Sequence, residues 1–370
     1  MKVTVITAPN IALIKYWGKE NEELFIPINS SLSVTLDSKD MSTTTTLSFN
    51  ETNEDILILN GKQCPLAKRM TNILSWFRGE TKETRPILIN TQNSFPTAAG
   101  LASSSSSYSA FVIALFLLLN PTHPPTLSIE ELSFLSTISR QGSGSSCRSM
   151  FGGCVEWEKG SSSDSRSSKA VQICTSAALS DLEILVCVVS SAAKSIGSTE
   201  GMQKTANDPS LRTLRETNVP PRLEKAKLSI LSKDFASLAQ ITMDECTEFL
   251  HCCSTTIPPN GYLSPISTQI IQAVNDFNTI NKNLLVFYTF DAGPNAILFT
   301  RTGDLLSFLD YFLRKPITNS STKRTSVQTK DPICSKFIEE WHTGPGETDQ
   351  EIIQTIIHTK VGEGPHIEIS

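Results

Sequence analysis

Several short stretches of this chain gather residues able to handle anions and protons. The longest is Ser94-Phe-Pro-Thr-Ala-Ala-Gly-Leu-Ala-Ser-Ser-Ser-Ser-Ser107. Phe95-Pro96 forces an extended or turn conformation, and Gly100 lets a bulky group approach its backbone. The serines then fall where a starting helix exposes unpaired N–H groups. Those donors, the helix dipole and the hydroxyls suit an anion such as a phosphate chain. The same residues also fit a serine-rich N-cap on a core helix. A second stretch, 8–19, packs Asn10, Lys15, Tyr16, Trp17 and Lys19 around a glycine. It reads as a ligand-lining loop or as a surface loop with snorkelling lysines. In the third, 140–153, Arg148 sits among small hydroxyl residues, where a guanidinium can grip a carboxylate or phosphate through two bonds. A fourth, 194–202, is hydroxyl-rich with its own cation, Lys194. Finally, Asp291 ends an apolar strand before Gly-Pro, which makes a turn by default and also suits a carboxylate aimed into a cleft.

These stretches need elements to hold them. Strands are expected at Lys2–Thr7, Ser33–Leu36, Thr43–Phe49, Ile56–Leu59, Pro86–Asn90 and Glu183–Val189. Asn60-Gly61 signals a hairpin. A helix carries Leu66, Met70, Ile73, Leu74 and Phe77 on one face, with Gly79 as its expected end. Ser128-Ile-Glu-Glu131 is a capping box for another. From Ser210 to about Asn278 the pattern is helical, broken at Pro220-Pro221 and Pro258-Pro259. The serine-rich patch at 160–168 reads as a solvated loop or hairpin tip. Strands at Leu284–Phe290 and Ala296–Thr300 flank Asp291, and the tail returns as two short strands around Gly362-Glu-Gly-Pro365.

The chain has 370 residues, 39% hydrophobic and 19% charged, with a net charge of -5. That fits a soluble globular protein of two lobes and gives no reason to expect a nucleic-acid or membrane surface. Nine scattered cysteines with no C-x-x-C pattern point to free thiols in a reducing compartment, and no metal-ligand cluster is evident. The strand-like start is expected to leave no room for a targeting segment. The apolar run from Ala110 to Leu119 is too short to span a bilayer.

Taken in order, the stretches resemble the diphosphomevalonate decarboxylase family of the GHMP kinase superfamily. The matching segments are Asn10-Ile-Ala-Leu-Ile-Lys-Tyr-Trp-Gly-Lys19, Pro27-Ile-Asn-Ser-Ser-Leu-Ser-Val-Thr-Leu36, 95–104, Gly142-Ser-Gly-Ser-Ser-Cys-Arg-Ser149, Gly197-Ser-Thr-Glu-Gly-Met202 and Thr289-Phe-Asp-Ala-Gly-Pro-Asn-Ala296. The resemblance implies an α+β protein of the GHMP kinase fold. Its N-terminal domain (1–187, with an ATP-phosphate loop at 94–107) would be ribosomal-protein-S5-domain-2-like, and its C-terminal domain (188–370) ferredoxin-like. It implies a cytoplasmic homodimer using ATP and Mg2+ to convert mevalonate 5-diphosphate into isopentenyl diphosphate, ADP, phosphate and carbon dioxide. The route is phosphorylation of the 3-hydroxyl.

By the same resemblance Asp291 orients or deprotonates the 3-hydroxyl. Arg148 holds the substrate carboxylate with Asn10 beside it, and Lys194 lies near the transferring phosphoryl group. Tyr16, Lys19, Ser143, Ser145, Ser198 and Met202 line the pocket for the diphosphate end. Gly100, Ser103, Ser104 and Ser106 meet the ATP phosphates. Lys15 and Trp17 rank lower, as packing residues, and 64–71 is a candidate for the adenine contacts. A kinase that only phosphorylates, or a silent ligand-binding relative, are the alternatives. The carboxylate clamp argues against the first, and the pairing of Asp291 with Arg148 against the second.

Overall fold

The computed structural model describes residues 1–95, 103–161, 163–189, 196–257, 261–320, 323–341 and 352–370. The chain runs through β1 (Lys2–Thr7), β2 (Asn10–Ile14), β3 (Lys19–Asn21), β4 (Ile26–Pro27), β5 (Ser31–Thr35), β6 (Thr43–Phe49), β7 (Ile56–Leu59) and β8 (Lys62–Cys64) before α1 (Lys68–Thr81). Next come β9 (Ile87–Asn93), α2 (Ser103–Leu119), α3 (Ile129–Gly142) and a 3-10 segment at Gly144–Met150. They lead into β10 (Cys154–Trp157), β11 (Ala170–Cys174) and β12 (Leu182–Val188). Four helices follow: α4 (Ser198–Asn207), α5 (Pro209–Leu231), α6 (Phe235–Thr256) and α7 (Pro265–Asn281). The rest is β13 (Val286–Phe290), β14 (Ala296–Arg301), α8 (Leu305–Leu313), β15 (Ser326–Gln328), α9 (Pro332–Glu340), β16 (Thr355–Lys360) and β17 (His366–Ile369).

Three larger sheets organise this α+β arrangement, in the orders β17-β1-β6-β9-β7-β8, β11-β10-β5-β2 and β13-β14-β12-β16-β15. The first sheet packs against α2. That helix is apolar on every side from Ala110 onward, and such a helix belongs in a core. Its serines and β-branched Val112 and Ile113 are weak helix formers. Burial of each large side chain is worth about 1.5–3 kcal/mol, so tertiary packing holds the helix together. The expected domain change at 187/188 cuts β12, which lies wholly in the third sheet. The turn at 362–365 sends β17 back to pair with β1, so the tail joins the first sheet.

Prolines 220 and 221 do not break α5. Both are exposed, so water can satisfy the carbonyls they leave unpaired, while Val219 and Leu223 stay in the core. Helix α1 passes Gly79 and ends at Thr81, with Lys82 taking the left-handed cap at φ 60°. The patch at 160–168 is not simply solvated. Fully buried Arg140 donates to the carbonyls of Ser165 and Ser168 on one side and of Leu24 and Phe25 on the other. That clamp ties two loops beside β10. All nine cysteines are free thiols.

Candidate active site

A cleft of about 490 Å³ opens between the loop after β2, the N-terminus of α2, the 3-10 segment at Gly144–Met150, the start of α4 and the end of β13. Strand β2 is buried along its whole length, which fixes the take-off point of the Lys15–Gly18 loop. The loop turns at Gly18, where φ is +106° and a Cβ would lie 2.8 Å from Ile28.

Arg148 forms one wall. It is 2% exposed and makes no ion pair among the described residues. Its Nε donates to Asn10 Oδ1 at 3.1 Å and to Ser33 Oγ at 2.9 Å, and its Nη1 donates to Ser31 Oγ at 2.6 Å. Asn10 is oriented in turn, its Nδ2 donating to Ser145 O at 2.9 Å and Ser149 Oγ at 2.8 Å. Burial pulls the guanidinium below its ordinary pKa, though an arginine keeps its charge at neutral pH. A buried cation whose hydrogen-bond partners are all neutral is costly, and an anionic ligand group would complete it.

Asp291 lies just past β13 and is 28% exposed. Its Oδ1 accepts from Lys15 Nζ at 2.8 Å, and the same ammonium donates to Ala12 O at 2.8 Å. Lys15 therefore does more than pack the loop, as was expected for it. It is 2% exposed, stands over the Phe249 ring and shares the cleft with Asp291. Trp17 packs, its indole N–H donating to Thr205 Oγ1 at 3.0 Å and its ring meeting Phe249 edge-on, and it also lines the cleft.

The cleft's other side carries Tyr16, Lys19, Ser143, Ser145, Ser198 and Met202. The Tyr16 hydroxyl has no partner among the described residues, and burial raises its pKa, so it stays protonated as a donor. Gly144 makes room for it, since a Cβ there would sit 2.6 Å from the Tyr16 ring. Lys19 pairs with Glu22 at 2.6 Å and stands over the Phe25 ring. Arg69 also lies over that ring, 5.2 Å from its centre, with Nη1 donating to Gly142 O at 3.2 Å. This arginine belongs to the 64–71 stretch, and only its cationic type marked it in the sequence.

At the helix end, Ser103 and Ser104 line the cleft, and Ser104 Oγ lies 3.0 Å from Ser143 Oγ. Ser106 does not join them. It is fully buried on the opposite face of α2, with its hydroxyl 2.6 Å from Thr43 Oγ1 and its carbonyl accepting from Thr7 Oγ1. At about 100° per residue Ser106 points roughly 200° away from Ser104, and its hydroxyl is taken up by Thr43 of the first sheet rather than by the cleft. Gly100 and Lys194 lie outside the described residues.

The lining is rich in hydroxyls and cations, a donor set for polyanions. Among the described residues no group of three or more His, Cys, Asp or Glu is placed to hold a metal ion. A magnesium ion here would draw chiefly on phosphate oxygens and water, with the hydroxyls of Ser103 and Ser104 and the Asp291 carboxylate as nearby protein oxygens.

Comparison with known proteins places this arrangement. A family model for the diphosphomevalonate decarboxylase-like N-terminal domain matches residues 7–170, and one for the mevalonate 5-diphosphate decarboxylase C-terminal domain matches 184–368. The diphosphomevalonate decarboxylase of Candida albicans is 40% identical over 375 residues, covering 97% of this chain and 96% of that one. The solved mevalonate diphosphate decarboxylase from Trypanosoma brucei superposes with a TM-score of 0.86 at 29% identity, covering 100% and 98%. A solved complex named MDDEF, with MVAPP, AMPPCP and magnesium, superposes with a TM-score of 0.78 at 29% identity, covering 100% and 99%. The shared architecture is the GHMP kinase fold. The chain belongs to the diphosphomevalonate decarboxylase family.

Proposed function

We propose that this protein decarboxylates mevalonate 5-diphosphate at the expense of ATP, giving isopentenyl diphosphate, ADP, phosphate and carbon dioxide. The observation that carries the reading is Arg148, a buried guanidinium without an acidic partner among the described residues, sharing one cleft with Asp291. A kinase needs the second of these groups and has no use for the first.

Arg148 grips the C1 carboxylate, with Asn10 setting its plane. Asp291 faces the 3-hydroxyl and accepts its proton as the oxygen takes the γ-phosphoryl group of ATP. Lys15 aims that carboxylate through its 2.8 Å contact. Tyr16, Lys19, Ser143, Ser145, Ser198 and Met202 hold the diphosphate end, and Ser103 and Ser104 meet the ATP phosphates at the start of α2. Magnesium, which the MDDEF complex contains, supplies charge neutralisation between phosphate oxygens. The phosphorylated C3 oxygen then leaves with its bonding pair as phosphate. The C1–C2 electrons become the C2–C3 double bond as carbon dioxide departs. The carboxylate clamp holds the substrate through both steps.

Two lobes fit this scheme, one built on the first two sheets with β17 and the other on the third sheet with β12. No helix among the described residues is long and apolar enough to cross a membrane. A cytoplasmic homodimer is part of the same proposal. Sedimentation of the purified protein tests the dimer.

The decisive assay is one incubation with magnesium-ATP and mevalonate 5-diphosphate labelled at C1. Labelled carbon dioxide released in step with ADP and isopentenyl diphosphate is the expected result. ADP without carbon dioxide would mean a kinase.

A further inference from the structure

The peptide of Lys15 is held at both of its polar groups. Its N–H donates to Glu245 Oε1 at 3.0 Å, and its carbonyl accepts from Arg215 Nη2 at 3.1 Å and Asn29 Nδ2 at 2.9 Å. Arg215 and Glu245 are themselves 2.6 Å apart and fully buried. Arg215 Nη1 donates to Glu248 Oε1 at 2.9 Å, and Arg222 bonds both glutamates from the far side. The cluster carries two charges of each sign. It comes from α5 and α6, about two hundred residues from Lys15 in sequence.

A fully buried ion pair with two partly buried partners is a poor way to stabilise a core, because apolar side chains of similar size usually do as well. What this cluster offers, and an apolar plug cannot, is one donor and one acceptor set against the backbone on either side of a single residue. Neither Arg215 nor Glu245 lines the cleft. Their hydrogen bonds reach it through Lys15, whose ammonium sits on Asp291.

We propose that the Arg215–Glu245 pair is a positioning device for the decarboxylation. It holds the Lys15 peptide so that the ammonium meets Asp291, and so couples the helices of one lobe to the β2 loop of the other. The inference rests on the reading of Asp291 as the group facing the 3-hydroxyl. A shift of about 1 Å in such a constellation can cost a hundredfold in rate.

The test is a kinetic cycle. Arg215→Lys keeps a buried cation but loses the fork that reaches Glu245 and the Lys15 carbonyl together. At saturating substrates, on protein shown to be folded by circular dichroism, it should lower kcat about tenfold and leave both KM values within about twofold. Lys15→Met combined with Arg215→Lys should lose no more than Lys15→Met alone, because the pair acts through that lysine. Glu248→Gln, in the same cluster but not on the Lys15 peptide, should lower thermal stability and spare kcat.

Multiplicative losses in the double variant would overturn the inference. So would equal kcat losses in Arg215→Lys and Glu248→Gln. If Arg215→Lys does not fold, Glu245→Gln carries the same cycle, since it keeps an acceptor but not the charge that holds Arg215. Asp291→Asn separates the two levels: full activity in that variant defeats the site reading itself, whereas an inactive Asp291→Asn beside a normal Arg215→Lys defeats only this step.

Discussion

Lys15 Nζ lies 2.8 Å from Asp291 Oδ1, joining positions 276 residues apart. One partner is almost wholly buried and the other is open to the cleft. Among the described residues Oδ2 takes no hydrogen bond, and the ammonium on Oδ1 fixes which way the carboxylate points. Replacing Asp291 with Asn keeps the shape and removes the charge. Turnover should fall by about 10²–10⁴, the usual worth of a positioned acid–base group. ATP-analogue binding, followed by calorimetry, should persist. Turnover within a few fold of the parent protein would remove Asp291 from the mechanism.

Arg148 should behave differently. Arg148→Lys retains a cation but cannot bond Asn10, Ser31 and Ser33 while also gripping a carboxylate. A charge-assisted bond of this kind is worth about 1.5–3 kcal/mol. The predicted result is a rise in the dissociation constant for mevalonate 5-diphosphate of about ten- to a hundredfold, with ATP affinity little changed. Equal weakening of both ligands would indicate collapse of the wall rather than loss of a carboxylate contact.

The serines at the start of α2 separate into two classes. Ser104→Ala should raise the KM for ATP several-fold without altering thermal stability. Ser106→Ala should do the reverse. Ser106 Oγ lies 2.6 Å from Thr43 Oγ1 and donates to Ser103 O at 3.2 Å, and alanine removes both contacts. The cost is about 1–2 kcal/mol of stability, read by urea unfolding, at unchanged KM. An ATP-affinity defect in Ser106→Ala would put its hydroxyl back at the phosphates.

That division shows where sequence reasoning works and where it stops. Local signals held wherever the chain itself determines the outcome. Thr43–Phe49 and Ile56–Leu59 are strands with the expected bounds, Asn60-Gly61 turns the hairpin, and Ser128 caps α3 through both bonds of its box. Lys82 could take the left-handed cap expected of Gly79 because the cost of φ > 0 is small beside the packing of Ile73, Leu74 and Phe77. Pro220 and Pro221 look like breakers until their exposed face is known. In the site, the types of Arg148, Asp291 and Tyr16 declared themselves, since a guanidinium, a strand-end carboxylate and a loop phenol are conspicuous. The pairing of Lys15 with Asp291, and the inward turn of Ser106, are tertiary facts. No spacing within either local segment encodes them.

A last pair gives a pH dependence outside the cleft. His358, on β16 and 3% exposed, places Nε2 2.8 Å from Glu183 Oε2 and Nδ1 2.8 Å from Thr329 Oγ1. Burial alone would lower its pKa, but its bonds to Cys334 and Glu183 more than reverse this and raise it from 6.5 to about 9. The folded protein therefore holds this proton more tightly than the unfolded chain does. The resulting stability is fully present below pH 6.5 and is lost as pH rises through about 9. It amounts to about 3 kcal/mol for this group taken alone. Urea unfolding across that range should show the decline in the parent protein, after allowing for its other titrating groups. His358→Gln should be less stable at pH 6.5 and nearly level above it. An identical pH slope in the two proteins would mean that Glu183 is satisfied by Lys360 and Thr302, with His358 neutral throughout.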